Sequence, residues 1–303
     1  MSGGARPDFF LVGAPKCGTT AMADYLGQHP ELGMCPRKET HHFGSDLHQR
    51  LAQRRGQHPP DLDEYLALFE GLEGYRRRGE ASVWYLYSEA GAAEIKAFEP
   101  EALIIVMLRD PVEMVPSLHS EFVYVGIEPV EDLAAALALD AERERSGAPR
   151  GFPPSSYRDA ASYAKQLERY LSVFGRDRVH VILYDDFRRD TPAVVRGAFE
   201  FLGVDPTFVP DLEIVNPNKQ VRSRLMRRVV RRPPEPVRRL LHRVTSQRAR
   251  RLAGRALNSW NTRFVRRAPP PQSVAGELGP LADEQALELR ELIGADLESW
   301  RRS

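Results

Sequence analysis

Lys16, Thr19 and Thr20 lie in the stretch GAPKCGTT, residues 13–20, which follows a short apolar run and precedes a helical pattern. Strand, glycine turn and helix in that order expose backbone N–H groups at a helix N-terminus, where the dipole favours an anion. Gly13 and Gly18 keep the spacing of a Walker A loop, in which the lysine follows the last glycine. Here Lys16 comes two residues before Gly18. A lysine so placed lies across the turn, over the departing side of a bound group, not along a triphosphate. The stretch reads as a phosphate-binding loop, against the plainer reading of a structural tight turn.

Three further groups carry chemistry. Arg109 leaves the apolar run ALIIVML (102–108), and Ser117 follows eight residues later. An arginine there can grip a second phosphate with a charge-assisted contact, or pair with Asp110 or another surface acid. KETHHF places Lys38, Glu39, His41 and His42 within five residues. A carboxylate or imidazole in a cleft can take an acceptor proton, although the same residues can form an ordinary polar loop. A histidine metal site would need further ligands, and no such cluster stands out. Trp84 and Tyr85, in GEASVWYL (79–86), can stack on an acceptor ring or pack in the core.

The elements that must position these groups are legible in outline. FFLV (9–12), ALIIVML and VHVILY (179–184) read as buried strands, the unbroken runs of a parallel sheet covered on both faces. Helical spacing covers Thr20–Gln28, Asp61–Phe69, Tyr157–Phe174 and Thr191–Gly203, the last with Thr191 as N-cap. ASVWYLYS (81–88) reads as a strand end running into a loop, and Asp283–Trp300 as a final amphipathic helix. Pro116 predicts a disturbed, late-starting or kinked helix after Arg109. Strands alternating with helices predict an α/β fold of βαβ units, with ligands bound at the carboxyl ends of the strands.

Composition excludes several classes. No apolar run approaches the roughly 20 residues needed to span a bilayer. MSGGARPD has neither an apolar signal core nor a myristoylation start, so a cytoplasmic location is expected. Two cysteines, Cys17 and Cys35, cannot build a disulfide framework. The formal net charge of +1 hides sixteen arginines against one acid, Glu235, between Arg222 and Arg267. That segment suits a lid, an anionic lipid surface, an acidic acceptor or nucleic acid, or it reflects a GC-rich genome. No nucleic-acid fold signature accompanies it, so a nucleic-acid partner is not expected.

With two motifs in order, GAPKCGTT resembles the 5′-phosphosulfate loop of sulfotransferases that use 3′-phosphoadenosine 5′-phosphosulfate (PAPS). VMLRDPVEMVPSLHS (106–120) resembles their 3′-phosphate segment, and YLGQHPELGMCPRKETHHF (25–43) is similar to the carbohydrate (heparan-like) and bacterial branches. The resemblance covers roughly residues 9–215 and implies a P-loop-like three-layer fold: a central parallel sheet flanked by helices, plus a basic helical C-terminal segment. It implies one domain over 1–303, with a tail at 1–8, an Arg-rich lid or arm at 216–273 and a terminal helix at 281–303.

The resemblance further implies that Pro15, Lys16, Cys17, Gly18, Thr19 and Thr20 bind the phosphosulfate, and Arg109 and Ser117 the 3′-phosphate. Lys219, Arg222 and Arg224 are candidates for closing that site. Lys16 would stabilise the leaving phosphate, with Glu39 or His41 as base. Lys38, His42, Glu80, Ser82, Trp84 and Tyr85 would meet the acceptor. Ala81 stands where some members carry a lysine that assists catalysis, so Lys16 acts alone or with Lys38. PAPS is the implied co-substrate, with no metal, and the acceptor is a small-molecule, glycan or lipid hydroxyl, less readily an amine. Weak membrane-surface contact through the Arg-rich segment would fit a lipid-linked acceptor; oligomeric state stays open. The alternatives are an ATP-dependent P-loop phosphotransferase, reading IIVMLRD (104–110) as its Walker B strand, and a non-enzymatic anion-binding module.

Overall fold

The computed structural model describes residues 5–48, 58–145, 156–212, 219–221, 262–264 and 272–301. Five strands form one sheet in the order β2-β3-β1-β4-β5, and every neighbouring pair is parallel. They are β1 (Phe9–Gly13), β2 (Leu32–Met34), β3 (Arg77–Ala81), β4 (Leu103–Leu108) and β5 (Val179–Leu183). β1 and β4 pair at the centre and are buried throughout, as their unbroken apolar runs require. Burying each of the Ile, Val, Met and Leu side chains of β4 contributes about 1.5–3 kcal/mol.

Helices flank this sheet: α1 (Thr19–Gly27), α2 (Leu62–Ala67), α3 (Gly91–Phe98), α4 (Pro111–Val125), α5 (Leu133–Arg145), α6 (Tyr157–Ala160), α7 (Tyr163–Phe174), α8 (Tyr184–Arg189), α9 (Thr191–Leu202) and α10 (Gln272–Ile293). The chain runs from β1 to β2 and β3 on one side, then crosses to β4 and β5 on the other. The loops after β1 and β4 therefore leave the sheet side by side, at the point where the strand order reverses.

Several sequence expectations are corrected. β2 (LGM) and β3 (RRGEA) are strands that no long apolar run announces, whereas the strand end running into a loop expected at 81–88 is present, Ala81 ending β3 and a turn following it. Tyr157–Phe174 is two helices, broken at Ala161-Ser162. Asp190, not Thr191, caps α9, because its side chain accepts from the Ala193 amide. α4 begins at Pro111 and runs through Pro116 to Val125, so the proline removes one hydrogen bond without ending the helix. α10 starts at Gln272, earlier than Asp283, and passes through Pro280. It stops at Ile293 because Gly294 adopts φ 67°; Trp300 lies in a short 3-10 turn and is buried.

The chain divides into two compact units, Met1–Glu213 with Pro270–Ser303, and Ile214–Pro269. In the second unit β6 (Lys219–Val221) and β7 (Thr262–Phe264) pair antiparallel, with Lys219 opposite Phe264. Arg222, Arg224 and most of the Arg-rich segment lie outside the described residues, and so does the expected basic helical structure there.

Candidate active site

The anion loop leaves β1 through Gly13, where a Cβ would stand 2.6 Å from Leu86 Cβ and 3.0 Å from the Val83 carbonyl. Only glycine fits under the turn that follows β3. The loop then reaches α1 through Lys16 at φ 64° and Gly18 at φ 90°. Gly18 is the N-cap, no side chain caps the helix, and its first turn holds no acid. The amides and positive dipole end of α1 are thus left to an anion. Pro15 and Cys17 face inward. The Cys17 thiol is fully buried, which pushes its pKa up to about 12 and leaves it packing rather than reacting. Lys16 Nζ lies 3.5 Å from Glu121 Oε2.

Arg109 leaves β4 beside this loop and braces it, Nη1 donating to the Lys16 carbonyl at 3.2 Å. Nε and Nη2 both donate to Glu113 Oε2, at 3.0 and 2.7 Å, and the guanidinium lies 4.3 Å from the Tyr184 ring centre. The acid on Arg109 is therefore Glu113. Asp110 turns away to cap α4, accepting from the Val112 amide at 2.8 Å. Glu113, Ser117 and Glu121 recur every four residues along α4 and so share one face. Ser117 is buried on that face, and its carboxylate neighbours engage Arg109 and Lys16.

The loop between β2 and α2 brings the second chemical group. Glu39 adopts φ 57° and His41 φ 55°; with Lys16 they are the non-glycine residues of positive φ among the described residues. Such backbone costs about 1–3 kcal/mol per residue and persists only where its surroundings enforce it. The Glu39 amide donates to the Ala81 carbonyl at 3.0 Å, and Glu39 Oε2 accepts from the Val83 amide at 3.2 Å. His41 Nε2 lies 3.9 Å from that same oxygen, and Lys38 Nζ lies 3.9 Å from Glu39 Oε1. Lys38 also donates to Thr20 Oγ1 at 2.7 Å and to Thr19 Oγ1 at 3.4 Å.

Five side chains expected to meet the acceptor, Glu80, Ser82, Trp84, Tyr85 and His42, have partners within the protein. Glu80 is fully buried and accepts from Thr40, Ser82, Tyr65 and Tyr85, at 2.8, 2.5, 2.8 and 3.2 Å. Burial raises its pKa, and the four hydroxyls oppose that shift. Ser82 and Tyr85 are buried with it. Trp84 is buried too, stacked on Phe122 at 6.2 Å and set edge-on to Tyr87. His42 stacks flat on Tyr65 at 4.1 Å, with Nδ1 2.9 Å from the Pro60 carbonyl, and burial lowers its pKa. The network works as a foundation: Glu80 holds Thr40, between Glu39 and His41, from below.

Sequence reasoning missed Glu113, Glu121, Tyr184 and Arg169. The four-residue spacing about Ser117 was the available signal for the first two. Tyr184 ends the VHVILY run. Nothing local marks Arg169, whose Nη2 faces the carbonyls of Leu86, Tyr87 and Ser88 at 3.1–3.3 Å, while Tyr170 Oη donates to the Tyr85 carbonyl at 2.9 Å. Together they pin the turn that holds Glu39. Among the described residues no group of three or more His, Cys, Asp or Glu could hold a metal ion, and no helix is long and apolar enough to cross a membrane.

Lys16 and Arg109, each paired with a carboxylate of α4, thus follow the carboxyl ends of adjacent strands, and Glu39 and His41 sit on the loop after β2. The sequence matches the model of the sulfotransferase family over residues 7–208. The chain belongs to that family. It resembles carbohydrate sulfotransferase 15 of Mus musculus, 27% identical over 252 residues that cover 66% of this chain and 44% of the mouse protein. It resembles mouse heparan sulfate glucosamine 3-O-sulfotransferase 3A1 at 24% identity, covering 65% of this chain and 46% of that protein. The chain thus matches less than half the length of these relatives. A sulfotransferase crystal structure from Alicyclobacillus acidocaldarius superposes with a TM-score of 0.72 at 31% identity, covering 98% of this chain and all of that one. The central parallel sheet flanked by helices, with a C-terminal helix, is the fold of that sulfotransferase.

Proposed function

We propose that this protein transfers a sulfuryl group from PAPS to a hydroxyl of a carbohydrate-type acceptor, with lipid and secondary-metabolite hydroxyls as the wider class. The observation that carries this reading is the bond from Arg109 to the Lys16 carbonyl, which joins two anion-binding positions at the ends of adjacent parallel strands. PAPS has anionic groups at both ends of its nucleoside, and a site with two such positions suits it. The matches to carbohydrate and heparan sulfate enzymes support a sugar acceptor.

PAPS supplies the activated sulfuryl group as a mixed anhydride. The S–O bond to the donor phosphate breaks as the bond from sulfur to the acceptor oxygen forms. Lys16 and the α1 amides stabilise charge on the departing phosphate. Glu39 takes the acceptor proton, with His41 as its neighbour or rival. Arg109 and Ser117 hold the 3′-phosphate.

Calorimetry with 3′-phosphoadenosine 5′-phosphate against ATP·Mg²⁺ tests the donor. Binding of the bisphosphate and not of ATP is expected, with Lys16→Ala lowering kcat by roughly 10²–10³. Tight binding of ATP·Mg²⁺ without the bisphosphate would restore the phosphotransferase reading. Full function in Lys16→Ala would mark an anion-binding module.

A further inference from the structure

We propose that Lys38 belongs to the donor site rather than the acceptor cleft, gripping the phosphosulfate end from the loop that also carries Glu39. This rests on the PAPS reading. The ammonium reaches back across the site to the first turn of α1, where Thr20 Oγ1 and Thr19 Oγ1 accept from it at 2.7 and 3.4 Å. Those hydroxyls are the donor loop's own, at the helix end left to an anion. A hydroxyl that accepts from Lys38 keeps its proton free to donate to a phosphate oxygen. Lys38 and the two threonines thus form one donor surface.

The charges point the same way. Glu39 approaches Lys38 through Oε1 at only 3.9 Å, while its Oε2 accepts from Val83. Lys38 is mostly buried, and that burial is the main cause of its lowered pKa; the Glu39 charge opposes the shift and the Lys16 charge adds to it. The Lys16 charge thus repels the Lys38 ammonium. A bound phosphosulfate relieves that repulsion, because it supplies negative charge to both. Lys38 also directly precedes Glu39, so a donor that fixes Lys38 fixes the backbone of the base.

Calorimetry on Lys38→Met and Lys38→Arg tests this with two ligands, 3′-phosphoadenosine 5′-phosphate and adenosine 3′-monophosphate, which lacks the 5′-phosphate. A charge-assisted contact of about 1.5–3 kcal/mol predicts that Lys38→Met binds the bisphosphate roughly 10- to 100-fold more weakly. Its affinity for the monophosphate should not change, and Lys38→Arg should recover most of the loss. In turnover, Lys38→Met should raise the donor KM and lower kcat, leaving the acceptor KM alone. Equal weakening toward both ligands would make the role structural and overturn the assignment. Unchanged bisphosphate affinity with a raised acceptor KM would return Lys38 to the acceptor cleft. Wild-type protein without affinity for the bisphosphate would overturn the donor reading itself, and this assignment with it.

Discussion

His41 Nε2 lies 3.9 Å from Glu39 Oε2, and both residues occupy left-handed backbone, at φ 55° and 57°. The strain is enforced from two directions. β3 and its turn hold Glu39 through the Ala81 carbonyl and the Val83 amide, and Glu80 holds the intervening Thr40. Lys16, across the site, is strained in the same way. Strain held at these three residues, and at no other non-glycine among those described, is what a preorganised site requires.

Glu39→Gln keeps an oxygen for the Val83 amide but cannot accept a proton. Its kcat should fall by roughly 10²–10⁴ with the donor affinity intact. His41→Ala should cost less. Steady-state kinetics on both variants decide the base; the reverse order would assign it to His41.

Arg109→Met should weaken binding of 3′-phosphoadenosine 5′-phosphate about 10- to 100-fold, the scale of a lost charge-assisted contact. Adenosine 5′-monophosphate, without the 3′-phosphate, should bind equally well to variant and wild type. Calorimetry with the two nucleotides checks this. A comparable loss toward both would mean that Arg109 serves the loop through Lys16 and not the 3′-phosphate.

Glu80→Ala leaves four buried hydroxyls without their acceptor, each such loss costing about 1–3 kcal/mol before relaxation. Denaturant unfolding should show a large loss of stability. The pH dependence has a definite sign. Burial raises the folded-state pKa of Glu80, so the folded chain holds this proton to higher pH than the unfolded chain. The contribution is present below the ordinary glutamate range and is lost as pH rises through the folded value. The stability of wild type relative to Glu80→Gln should therefore fall as pH rises; a rising difference would mean that the hydroxyls outweigh burial.

Chemistry that depends on contiguous residues was legible early. GAPKCGTT carries its glycines, lysine and threonines within one turn, and KETHHF carries its carboxylate and imidazoles within another. The central strands β1 and β4 announce themselves because a strand buried on both faces must be apolar throughout. β2 does not, because it is three residues long, and β3 does not, because it opens on two arginines. Arg78 finds Asp8 across the sheet, and Arg77 finds the Leu202 carbonyl.

Only the tertiary structure could decide which polar residues face the site. Glu80 and Glu39 are both acids in polar surroundings along the chain. The fold drives Glu80 among four hydroxyls and leaves Glu39 partly exposed. Lys38 lies beside Glu39 in sequence, yet its ammonium meets Thr20 on another element. The physical reason is the same in each case. The sequence by itself determined the central strands and the glycine turn between β1 and α1, whereas burial and charge pairing depend on segments that only the packed sheet brings together.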